Sequence, residues 1–82
     1  MAVVGKRSLR EREQLQRILR ELRVDRGLRQ IDVARAVKRH QSFVSKYETG
    51  ERRLDILEIR EVCGALGISL ASFAKLLERA LR

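Results

Sequence analysis

Apolar residues recur at helical spacing in five stretches separated by short polar breaks. Leu15, Ile18, Leu19 and Leu22 stand at i, i+3, i+4 and i+7, one stripe of an α-helix. Ser8-Leu9-Arg10-Glu11 has the S-x-x-E form of a capping box, so the first helix is expected to begin there. Arg26 and Gly27 close it, a cation in the last turn and then a residue that tolerates a left-handed backbone. A short second segment runs from Gln30 to Val37, with Ile31, Ala34 and Val37 in phase and Val33 beside them. Only Lys38-Arg39-His40 separate it from a third, Gln41 to Thr49, which Gly50 closes. Asp55-Ile56-Leu57-Glu58 is a D-x-x-E start, after which Ile56, Ile59, Val62, Cys63 and Leu66 line one face up to Gly67. Ser69 caps a last helix carrying Leu70, Phe73, Leu76, Leu77, Ala80 and Leu81. The pattern predicts five helices and no strand, a compact all-α bundle.

The third segment breaks the rule that a bundle helix turns a wide apolar stripe to the core. Only Val44 and Tyr47 clearly point inward, while Gln41, Ser42, Ser45 and Lys46 are hydrogen-bonding groups. A short polar helix that follows another after a tight turn is the helix-turn-helix arrangement, whose second helix enters the DNA major groove. The residue types suit that task. Glutamine pairs bidentately with adenine, serine donates or accepts, and a lysine reaches a guanine edge or a phosphate.

Charge strengthens this picture. The 82 residues carry 19 Lys and Arg against 11 Asp and Glu, a net charge of +8. Residues 1–30 hold nine cations to four anions and residues 31–53 hold six to three, whereas residues 54–82 hold four of each. The excess therefore lies in the first two thirds, and a polyanion, most often nucleic acid, is the expected partner. With one Cys and one His there is no internal disulfide and no zinc site from this chain alone, which points to the cytoplasm and to no metal or other cofactor. No apolar run approaches the length of a membrane span, and the first seven residues lack a signal-peptide core. Those seven are expected to form a flexible basic tail before a single domain over residues 8–82. No nucleophile, acid–base pair or metal set suggests an enzyme, and with only three aromatics RNA binding through stacking platforms is the weaker option.

From Leu19 to Leu70 the chain resembles the Cro and phage-repressor type of helix-turn-helix, the XRE-like family of bacterial and phage regulators. The residues that carry the likeness are Leu22-Arg23, Gly27-Leu28-Arg29-Gln30, Val33-Ala34, Val37, Gln41 through Gly50, and Ala65-Leu66-Gly67-Ile68-Ser69-Leu70. The resemblance implies a lambda-repressor-like five-helix fold and a sequence-specific regulator of transcription. It makes Gln41, Ser42, Ser45 and Lys46 the candidates for base edges. Gln30 matches a glutamine that binds a DNA phosphate and braces the reading helix, and Arg29 sits at a phosphate-contacting position. Thr49, Arg52 and Arg53 match the loop that follows the DNA backbone, and Lys38 and Arg39 in the turn complete the phosphate candidates. Arg23 and Glu48 match an internal ion pair. Members often have Gly where Lys38 stands, so a positive φ there would be strained. His40 caps the third helix, touches a phosphate, or does neither. Phe43 packs beside the second helix, touches a thymine methyl, or lies along the sugar-phosphate backbone, with packing favoured.

One reading helix covers about four or five base pairs, so a two-fold homodimer on a palindromic operator is expected, with half-sites roughly 34 Å apart. The neutral C-terminal third is the expected interface. Phe73 and Leu77 should serve the core, while Leu76, Ala80 and Leu81 extend the stripe towards a partner. A repressor without a small-molecule effector is the expected function. The alternative from another class is a protein-interaction module, such as the antitoxin of a toxin–antitoxin pair.

Overall fold

The computed structural model describes residues 5–82, with side chains from Leu9 onward. It contains α1 (Gly5–Asp25), α2 (Gln30–Ala36), α3 (Gln41–Thr49), α4 (Ile56–Ala65) and α5 (Leu70–Ala80), with no strand among the described residues. α3 packs against α2 and α1, and α5 packs against α1 and α4. One core joins all five: Ile18 and Leu19, Val33 and Ala34, Phe43, Val44 and Tyr47, Val62, Cys63 and Leu66, and Phe73. No helix of the described residues is long and apolar enough to cross a membrane.

Local chemistry sets most boundaries. Asp55 accepts a hydrogen bond from the Glu58 amide at 2.8 Å while Glu58 accepts one from the Asp55 amide at 3.0 Å, the reciprocal pair expected at the start of α4. Ser69 accepts from the Ser72 amide at 3.0 Å and starts α5. Gly50 ends α3 with φ of 87°, and a Cβ there would also lie 2.9 Å from Gln16 Nε2.

Two expectations need correction. α1 begins at Gly5, so the Ser8–Glu11 motif lies inside the helix and is not its start. No proline interrupts residues 5–7, which continue the helical backbone upstream. Of the tail expected over residues 1–7, residues 1–4 lie outside the described residues and residues 5–7 belong to α1. The second concerns α4. Ile56, expected on its inward face, is 61% exposed beside Leu57 at 67%. The stripe there runs past the edge of the core, and Leu54 from the preceding loop packs against it instead.

The turn between α2 and α3 is held by backbone. The Arg39 amide donates to the Ala34 carbonyl at 2.9 Å, which places Lys38 at φ of 58°. A side chain in that region costs roughly 1 kcal/mol. Lys38→Gly is accordingly expected to raise stability by up to about 1 kcal/mol, partly offset by the freer unfolded chain, as a higher thermal midpoint.

Candidate nucleic-acid interface

α3 divides into two faces. Phe43, Val44 and Tyr47 are buried, whereas Gln41, Ser42, Lys46 and Thr49 are exposed and Ser45 is half-exposed. The polar face of the helix is thus uncovered, and the helix is held by three inward residues where periodicity alone implies two. His40 is the N-cap. Its Nδ1 accepts from the Ser42 amide at 3.1 Å and lies 3.0 Å from Ser42 Oγ. Of the three roles open to His40, the structure shows capping. Phe43 packs within the protein. Its ring meets Tyr47 edge-on, with centroids 5.5 Å apart, and the Arg39 and Arg52 guanidinium groups lie 4.6 and 4.8 Å from its centroid. With only 8% of Phe43 exposed, little ring is left for a thymine methyl.

Beneath α3, Glu48 is nearly buried, its side chain 4% exposed. Arg23 donates to it through Nε at 2.6 Å and Nη2 at 3.0 Å, and Nη1 donates to the Leu28 carbonyl at 2.9 Å. The hydrogen bonds to Glu48, opposed in part by desolvation, raise the Arg23 pKa above its usual value. Gln30 Nε2 donates to Glu48 Oε1, the oxygen that Arg23 Nη2 also reaches, at 3.0 Å, and Gln41 Nε2 donates to Gln30 Oε1 at 3.4 Å. A single chain of polar groups therefore runs from α1 through α3 and α2 to the first residue of α3. Its last link is long and weak.

The phosphate candidates fall into two groups. Lys38 and Arg53 are exposed and, among the described residues, without an ion-pair partner, as is the base-edge candidate Lys46. Arg29, Arg39 and Arg52 already hold carboxylates. Arg29 donates to Asp32 from its guanidinium at 2.9 and 3.1 Å and from its amide at 2.8 Å, drawing the Asp32 pKa down to about 2. An arginine cannot accept, so α2 has half of a capping box, supplied by Asp32. Arg52 and Arg39 share Glu58, at 2.7 Å from Arg52 Nη2 and 3.3 Å from Arg39 Nη2. The sequence marks Glu58 only as a capping residue, because Arg39 lies 19 positions away. Thr49 Oγ1 donates to the Lys46 carbonyl at 3.2 Å.

Elsewhere, Leu76, Leu77 and Ala80 are half-buried against the core, and Leu81 is 36% exposed. Tyr47 buries its hydroxyl without a hydrogen-bond partner among the described residues, and that burial raises the phenol pKa. Cys63 is fully buried, its thiol pushed up to about 11, which makes it inert packing.

No curated relative matches the chain. Among solved structures, an XRE-family like protein from Pseudomonas syringae pv. tomato is 36% identical, with a TM-score of 0.80 over 84% of each chain. The clp gene regulator ClgR from C. glutamicum is 28% identical, with a TM-score of 0.76 over 88% of this chain and 94% of its own. The restriction-modification controller protein C.Esp1396I, in a tetramer bound to its natural 35 base-pair operator, shares the fold at 20% identity, with a TM-score of 0.80 over 87% of this chain and 93% of its own. The helix-turn-helix family model matches residues 19–73, which span α2, α3 and α4. By that match and by its likeness to the Pseudomonas protein, the chain belongs to the XRE-type helix-turn-helix family.

Proposed function

We propose that this protein is a sequence-specific double-stranded DNA-binding regulator of transcription, acting as a homodimeric repressor. The observation that carries this reading is the bare polar face of α3, flanked by cations before and after the helix. Gln41, Ser42, Ser45 and Lys46 meet base edges in the major groove. Arg29, Gln30, Lys38, Arg39, Thr49, Arg52 and Arg53 follow the phosphates, with Lys38 and Arg53 supplying charge that no carboxylate among the described residues cancels. The operator-bound controller protein and the clp gene regulator, which share the fold, support a DNA partner. Leu76, Ala80 and Leu81 are assigned to the dimer contact, and the exposure of Leu81 supports that assignment.

Selection of bound sequences from a random duplex pool tests the reading. A palindromic winner is expected, and a pool with no enriched sequence would refute it. A dimer with about eight phosphate contacts should show a log–log salt slope near −7. Arg53→Ala is expected to weaken binding to all duplexes alike and to flatten that slope by about one unit per protomer. An unchanged slope would remove Arg53 from the phosphate contacts.

A further inference from the structure

Glu58 has more partners than a helix cap needs. Its carboxylate accepts from the Asp55 amide at 3.0 Å, from Arg52 Nη1 and Nη2 at 3.1 and 2.7 Å, and from Arg39 Nη2 at 3.3 Å. Both guanidinium groups also lie over the Phe43 ring. Arg39 belongs to the turn before α3, Arg52 to the loop after it, Phe43 to α3 itself and Glu58 to α4. The cluster therefore ties together the two backbone segments that flank α3. The Arg52 and Asp55 hydrogen bonds draw the Glu58 pKa down to about 2, so the carboxylate keeps its charge.

We infer that Glu58 is a positioning residue for DNA recognition: it pins Arg39 and Arg52 side by side over Phe43, so that two neighbouring cations meet the sugar-phosphate backbone in a fixed arrangement beside the reading helix. The inference rests on the DNA-binding function proposed above. Its logic is a trade. A carboxylate beside DNA repels the phosphates and cancels part of the charge of its two partners, which weakens binding to any duplex. Loose guanidinium groups, however, adapt to any polyanion, while pinned ones fit only a backbone of the right shape. Glu58 thus gives up general affinity for discrimination.

Glu58→Gln separates the two effects. Glutamine serves in a capping box, so the start of α4 is retained. Affinity for random duplex is expected to rise about tenfold, with the salt slope steeper by about one unit per protomer. The ratio of selected to random affinity should fall about tenfold. Phe43→Leu keeps every charge and most of the apolar bulk, and should lower that ratio with the slope unchanged. If Glu58→Gln moves both affinities by one factor, or weakens both at constant slope, Glu58 is no more than a structural cap and the inference fails. The guanidinium Nη–H resonances of the free protein read the clamp without DNA, because Nη1 and Nη2 make the bonds to Glu58. Ordered, exchange-protected Arg39 and Arg52 signals that collapse in Glu58→Gln are expected. Averaged signals in the wild type would overturn the clamp, whereas absent discrimination by the wild type would overturn the DNA function itself.

Discussion

Arg23→Ala is expected to cost the fold about 3–5 kcal/mol, because it strands the Glu48 carboxylate in the protein interior. Glu48 is 4% exposed and receives two hydrogen bonds from Arg23, with Gln30 supplying one more. Removing Arg23 also leaves the Leu28 carbonyl without its guanidinium donor. Against a total stability of about 5–15 kcal/mol for a small domain, such a loss is a large fraction. The thermal midpoint should fall by more than about 10 °C. Circular dichroism melts would show this directly. The cost belongs to the uncompensated charge more than to the pair, so Arg23→Met combined with Glu48→Leu should recover most of it. An unchanged midpoint in Arg23→Ala would mean that water reaches Glu48 and screens it.

The second large effect falls on recognition. Gln41→Ala is expected to lower affinity for the selected duplex by about 1–3 kcal/mol, roughly 5- to 150-fold. Gln41 is exposed at the first position of α3, and its side chain donates to Gln30 across a 3.4 Å link. That link orients the amide yet is weak enough to leave it for a base. The loss should be confined to one base pair in each half-site, with affinity for random duplex little changed. Fluorescence anisotropy on single-substituted operators distinguishes these outcomes. Equal loss on every duplex would take Gln41 out of the base-reading set.

The parts of this fold that depend on neighbours along the chain are legible in the sequence alone. α3 runs from Gln41 to Thr49 as its flanking turn and Gly50 imply, and the caps at Asp55 and Ser69 sit where their side chains predict. The family likeness brings Arg23 and Glu48 together across 25 positions, which periodicity alone cannot do. Other features are hidden for physical reasons. A helical stripe does not tell where the core ends, so Ile56 reads as inward although its turn overhangs the edge. A capping motif marks a possible start, yet nothing in Ser8–Glu11 prevents a helix from arriving already formed from Gly5. The shared grip of Glu58 on Arg39 and Arg52 needs the turn, the loop and α4 at one point in space, and no local pattern encodes that meeting. Phe43 is ambiguous in sequence for the same reason, since the two cations that cover it come from either side of α3.

Backbone amide shifts on titration with the selected duplex provide the most direct measurement. The largest changes are predicted at residues 41–46, with a second set at 29–30, 38–39 and 49–53. Shifts concentrated on α5 or on Ile56 and Leu57, with residues 41–46 unmoved, would contradict the assignment of α3 as the surface that reads DNA.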